Sequence, residues 1–114
     1  HLACRLDKAA QHIQLHYNTE LKVPELAALP GYSVSWFEHR FSTKYTLSPL
    51  TFQTKQRIDL AQDMMRTNTF SMSEIGYSVG CHDTPDSGRV FKKMVGISPR
   101  QYRNMVLGNR KEEN

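Results

Sequence analysis

The chain has 114 residues, 39% of them hydrophobic and 23% charged, enough for one domain or two very small ones around a modest core. Fifteen Lys and Arg against eleven Asp and Glu give a net charge of +4, which permits a polyanionic partner without requiring one. Two cysteines are too few for a disulfide-built secreted scaffold, no apolar run reaches membrane-spanning length and no signal-peptide pattern is present, so a reduced, cytoplasmic chain without membrane contact is expected.

The first residue is His1 rather than Met, as in a piece of a longer protein. Leu6, Ala10, Ile13 and Tyr17 then fall three or four apart, which predicts a helix over 4–17. His12 and His16 stand one turn apart on it, a spacing that can hold a metal, but no third ligand lies near in sequence and no metal or cofactor is assigned. Cys4, like Cys81 further on, reads as an inert small hydrophobe. A short helix over 23–29 stops at Pro30-Gly31, and Val34, Phe37, Phe41 and Tyr45 mark a third over 34–45. Ser48-Pro49, a Ser cap with Pro just inside, opens a fourth over 49–67. Ile58, Ala61 and Met65 carry its apolar face, with Met64-Met65 as core or interface filler. Ser71 or Ser73 caps a fifth helix over 72–79, which Gly80 ends. A sixth over 84–95 follows, and Ser98-Pro99 repeats the cap before a seventh over 99–109.

The bases gather late. Between Gly88 and Lys111 there are seven (Arg89, Lys92, Lys93, Arg100, Arg103, Arg110, Lys111) and no acid, so one end carries a positive field.

An internal repeat organises these elements. Phe41, Tyr45, Ser48, Pro49 and Phe52 recur fifty positions on as Phe91, Val95, Ser98, Pro99 and Tyr102. Leu26, Ala27 and Gly31 recur forty-nine positions on as Ile75, Gly76 and Gly80, so one extra residue sits in the second turn. Each copy is a short helix, a glycine turn, a longer helix and a Ser-Pro-started helix. A small residue (Ala27, Gly76) lets two helices cross closely, and a glycine four positions later accepts a left-handed turn. That is the grammar of a helix-turn-helix, whose second helix fits a major groove. The expected architecture is all-α, with seven helices forming two helix-turn-helix subdomains, homeodomain-like repeats, over 1–48 and 68–114, joined by a linker helix over 49–67.

The sequence resembles the AraC/XylS family of bacterial regulators. Gly31-Tyr32-Ser33 followed by Phe37 and Phe41 is similar to the first half of its DNA-binding domain, and Arg57-Ile58 with Ala61 to its linker helix. Val79-Gly80, Asp83, Arg89, Phe91-Lys92-Lys93, Gly96, Ser98-Pro99 and Tyr102-Arg103 resemble its second half. The likeness covers roughly 6–107. It implies sequence-specific duplex-DNA binding that controls transcription, with two reading helices about 34 Å apart, one turn of DNA. It also implies an effector or oligomerisation domain on the N-terminal side, through which a small-molecule effector acts, and contact with RNA polymerase.

Three departures stand out. Cys81 replaces a usual aromatic, Pro85-Asp86-Ser87 replaces Ser-Tyr-Phe, and Thr46 stands where the second copy has Gly96. Ser87 falls opposite Phe37, and a lost buried ring weakens packing by about 2–4 kcal/mol unless neighbours fill in. Gly88 inside a helix adds a cost of about 1 kcal/mol against Ala. A less rigid second lobe, with the first carrying more of the specificity, is the expectation.

If Phe37 and Phe41 face inward, Ser35, Glu38 and His39 face outward with Trp36 at the margin. Glu38 accepts from cytosine N4, His39 addresses a guanine edge or a phosphate, and Trp36 either reads bases or packs half-buried. In the second copy the matching face is Thr84, Pro85, Gly88 and Arg89. Arg89 is the candidate for bidentate guanine reading, with a phosphate contact or a salt bridge to Asp86 as alternatives; Asp86 also suits the start of its helix. Ser33, Lys44, Lys92, Lys93 and Arg100 are candidate phosphate contacts, joined by the amides after Ser48 and Ser98. Arg57 and Arg103, beside apolar anchors, read as structural ion pairs. The competing function is a helix-turn-helix protein-interaction module with weakened DNA reading in the second lobe. An enzyme is not expected, since no nucleophile beside a base, phosphate-cradling loop or metal cluster is legible.

Overall fold

The computed structural model describes residues 2–28, 33–67, 69–80 and 85–112, with the side chains at 2–3, 85–87 and 109–112 outside that description. Among the described residues all regular structure is helical: α1 (Leu2–Leu15), α2 (Val23–Leu26), α3 (Val34–Tyr45), α4 (Pro49–Met65), α5 (Met72–Ser78), α6 (Pro85–Val95) and α7 (Pro99–Glu112). The all-α, seven-helix expectation holds. The chain forms two compact units, His1–Gln56 and Arg57–Asn114, so the division falls within α4.

Helix ends follow local chemistry. α1 stops at Leu15, short of the expected residue 17, and the Thr19 hydroxyl donates to the His16 carbonyl at 2.9 Å in the turn beyond it. α2 is a single turn: Pro24 sits in its first turn, Lys22 supplies no side-chain cap, and the Ala27 amide closes it on Val23. At α4 the Ser48 hydroxyl accepts from the Thr51 amide at 3.2 Å. Of the two candidates before α5 it is Ser71 that caps, in a reciprocal box with Glu74: Ser71 accepts from the Glu74 amide at 3.1 Å and its own amide donates to the Glu74 carboxylate at 2.9 Å. That amide holds the Glu74 carboxyl below its ordinary value. Ser98 and Gln101 form the same box at α7, at 3.2 and 3.1 Å.

The first unit packs Leu6, Ala9 and Ile13 of α1 against Ala27 and against Phe37 and Phe41 of α3. Phe52 meets Phe41 edge-on, with centroids 5.5 Å apart at 89°. Among the described residues Gln53 is the buried polar one, 3% exposed, and its amide donates to the Thr19 carbonyl at 2.7 Å, which satisfies the group and ties down the α1–α2 loop. At the other end Asp7 bridges α1 to α3: Lys44 pairs with it at 2.7 Å and the Tyr45 hydroxyl donates to it. The hydrogen bonds from Lys44 and Tyr45 hold the Asp7 carboxyl below its usual value, and burial, then Asp7, push the Tyr45 phenol up to about 12.

The second unit packs Ile58, Ala61 and Met65 of α4 against Ile75, Val79, Phe91 and Tyr102. Phe91 and Tyr102 repeat the edge-on pair, with centroids 5.9 Å apart at 69°. Ile58, Ala61 and Met65 stand fifty-two positions after Leu6, Ala9 and Ile13 and are buried likewise. The duplication therefore extends one helix further upstream than the sequence reading placed it, and the end of α4 serves its unit as α1 serves the first.

Two expectations are corrected. Among the described residues Arg103 pairs with no carboxylate: its guanidinium donates to the main-chain carbonyls of Thr67, at 3.1 Å, and Phe70. Cys4 is exposed on α1 rather than sequestered as a small hydrophobe. The turn residues Gly31 and Tyr32, and Cys81, Asp83 and Thr84, lie outside the described residues. Gly80 has φ of 85°, the left-handed turn required after α5.

Thr46 and Gly96 end α3 and α6 alike, in left-handed conformations with φ of 64° and 102°. A β-branched residue there carries strain of about 1–2 kcal/mol, of which glycine's larger unfolded-state entropy gives back about 0.5–1. Thr46→Gly is therefore expected to stabilise the first unit by about 0.5–1 kcal/mol, read as a higher urea midpoint at unchanged slope. An unchanged or lower midpoint would refute the strain.

Candidate nucleic-acid interface

In the first unit α3 is anchored by its buried side and capped at its start. The Ser33 hydroxyl accepts from the Trp36 amide at 3.1 Å, while Phe37 and Phe41 are held in the core. Helical periodicity then leaves Ser35 and His39 exposed and Glu38 half-buried at the margin. Trp36 is half-buried and packs against the core cluster. Its ring carries the Arg40 guanidinium 5.7 Å from the centroid, a cation–π arrangement that places an exposed positive charge on this helix. Arg40 is absent from the sequence-derived candidates; the Trp36–Arg40 spacing of one turn was the available signal. Ser33 is exposed, but its hydroxyl is engaged as the cap. Lys44 is committed within the fold to Asp7, with its ammonium also 5.6 Å from the Tyr45 ring centroid.

In the second unit α6 is anchored through Phe91 and carries Lys92 and Lys93 in its last turn. Arg89, Lys92 and Lys93 are all exposed, and positions three and four apart share one helix face. Gly88 is half-buried, and Arg100 is exposed in the first turn of α7. Thr84 lies outside the described residues, as do the side chains of Pro85, Asp86 and Ser87, and with them the Arg89–Asp86 pair. The caps at α4 and α7 consume the amides of Thr51 and Gln101, while those of Phe52 and Tyr102 close on the Ser48 and Ser98 carbonyls. With Pro at 49 and 99, the helix-start donors that remain are at Leu50 and Arg100.

His12 and His16 stack with ring centroids 4.6 Å apart, and among the described residues no three His, Cys, Asp or Glu side chains gather as a metal site. Among those residues, also, no helix is long and apolar enough to cross a membrane.

A family model for a helix-turn-helix domain matches residues 26–105. The arabinose operon regulatory protein of Escherichia coli (strain K12) is 30% identical over 100 residues, which span 87% of this chain and 34% of that protein. The uncharacterized HTH-type transcriptional regulator YdiP of the same organism is 26% identical over 92 residues, spanning 81% and 30%. The chain thus covers about a third of the length of the curated relatives it matches. Among solved structures, the DNA-binding domain of AdpA, a global transcriptional factor in complex with a target DNA, superposes with a TM-score of 0.80 at 25% identity, covering 93% of this chain and 96% of that one. The C-terminal domain of AraT, a response regulator from Geobacillus stearothermophilus, superposes with a TM-score of 0.75 at 27% identity, covering 89% and 84%.

Proposed function

The chain belongs to the AraC/XylS family of helix-turn-helix regulators, and from that premise we propose that it is the part of a bacterial transcription regulator that binds duplex DNA, reading two adjacent major-groove segments with α3 and α6. The carrying observation is that each of these helices is fixed to its own core by phenylalanine while its polar side stays exposed. On α3 the readers are Ser35, Glu38 and His39, with Trp36 at the margin; in the second copy they are Pro85 and Arg89 of α6 together with Thr84, the residue before it in sequence. Arg89 reads a guanine edge, because a planar guanidinium matches its O6 and N7 acceptors. Lys92, Lys93 and Arg100 hold phosphates, Ser33 and Lys44 take part through their exposed faces, and Arg40 is added to that set. The DNA of the AdpA complex supports the assignment of duplex as the ligand class. A cytoplasmic location, contact with RNA polymerase and an effector acting through a separate domain belong to the same proposal, as does the absence of catalysis.

The test is selection of bound duplexes from a random library, followed by the same selection with Arg89→Ala. A site of about two helical turns should emerge for the native chain. The variant should lose about 1–3 kcal/mol of discrimination at one base pair, read as about a 5- to 150-fold relaxation there, with the other positions kept. Failure to enrich any sequence would overturn the reading and leave the protein-interaction alternative.

A further inference from the structure

In the first unit Phe37 is 1% exposed and occupies the space that α3 shares with Leu6, Ala9 and Ile13 of α1. The second unit repeats the frame: Ile58, Ala61 and Met65 replace the α1 residues, and Ile75 and Phe91 replace Leu26 and Phe41. It does not repeat the ring. The register of fifty sets Ser87 opposite Phe37. A cavity of about 130 Å³, partly open to solvent, lies in this unit among Ile58, Met65, Ile75, Val79, Gly88 and Phe91.

We propose that this cavity is a binding site for a small uncharged aromatic molecule, a single benzene-sized ring that completes the second core as Phe37 completes the first. Size, wall chemistry and charge agree on that class. Apolar cavities of about 150 Å³ take benzene, so the volume suits one ring and not two. Among the described residues the wall is apolar apart from Arg57, and the Met65 thioether and the Phe91 ring are favourable neighbours for an aromatic edge. Arg57 is the charged residue of the wall among those described, and it already has an interaction within the protein, which favours an uncharged ligand over a carboxylate. No side chain that lines the cavity is a proposed base or phosphate contact; Gly88, which the sequence reading set on the outward face of its helix, is half-buried and lines the cavity instead.

The experiment is a titration of the full chain with toluene, followed by methyl NMR. Saturable shifts are expected at Ile58, Ile75 and Val79, with Ile13 in the first core unmoved. Ser87→Phe should weaken binding at least tenfold. Gly88→Leu, whose Cβ meets no atom within 4 Å, should do the same from a second position and guards against a Phe variant that fails to fold. Benzoate should bind at least tenfold more weakly than toluene. The absence of saturable shifts, equal shifts at Ile13, undiminished binding in a folded filled variant, or tighter binding of benzoate would each overturn the proposal.

Discussion

Phe41→Ala should leave the first unit unable to hold its fold. The ring is 0% exposed and sits at the centre of an aromatic group, with centroids 6.1 Å from Phe37, 4.7 Å from Tyr45 and 5.5 Å from Phe52. Removing it deletes the apolar burial and leaves a hole that helices on several sides cannot close together, a loss of about 3–5 kcal/mol. A core this small rarely supplies more than about 3–5 kcal/mol in total, so the variant should lose most of its stability. The expected observation is collapse of chemical-shift dispersion for Leu6, Ile13 and Phe37 at a temperature where the native chain is folded. Phe41→Leu, which keeps much of the volume, should retain it. A Phe41→Ala protein with a native melting midpoint would contradict the packing described.

Replacing Lys92, Lys93 and Arg100 together by Gln should have the largest effect on DNA affinity. All three are exposed, so the fold should shift little, by about 0.5 kcal/mol per site or less. Each phosphate neutralised releases about 0.9 counterion, so the slope of log affinity against log salt should flatten by about 2.7. Near 0.1 M salt that corresponds to a loss on the order of 10²–10³-fold. The loss should be nearly equal for specific and random duplexes, because phosphates carry no sequence information. Anisotropy titrations across a salt series read both quantities, and an unchanged slope would remove these residues from the interface.

Much of the fold was legible because its signals are local. Apolar spacing, the Ser-Pro caps and the paired glycines depend on residues within one or two turns, and they located all seven helices, with at least one limit correct in every helix but the first. What escaped depends on partners distant in sequence. Nothing near Asp7 announces that Lys44 and Tyr45, on another helix, will converge on it. Arg103 beside Tyr102 suggested an ion pair, yet the groups it found were carbonyls, which every residue carries and no sequence pattern marks. The kinship of Ile58, Ala61 and Met65 with Leu6, Ala9 and Ile13 was hidden because Ile and Met replaced Leu and Ile, alike in burial and different in name. For the candidate interface, outward-facing positions on α3 followed from the inward pair Phe37 and Phe41. The engagement of Ser33 and Lys44 within the fold required side-chain geometry.

The bonds from Arg103 to Thr67 and Phe70 make the final helix a clasp on the segment that leads into α5. A chain shortened ahead of that arginine would forfeit more than a surface helix. It would also release two peptide carbonyls of the 67–70 stretch to water and loosen the approach to α5, so the tail governs a stretch more than thirty positions earlier.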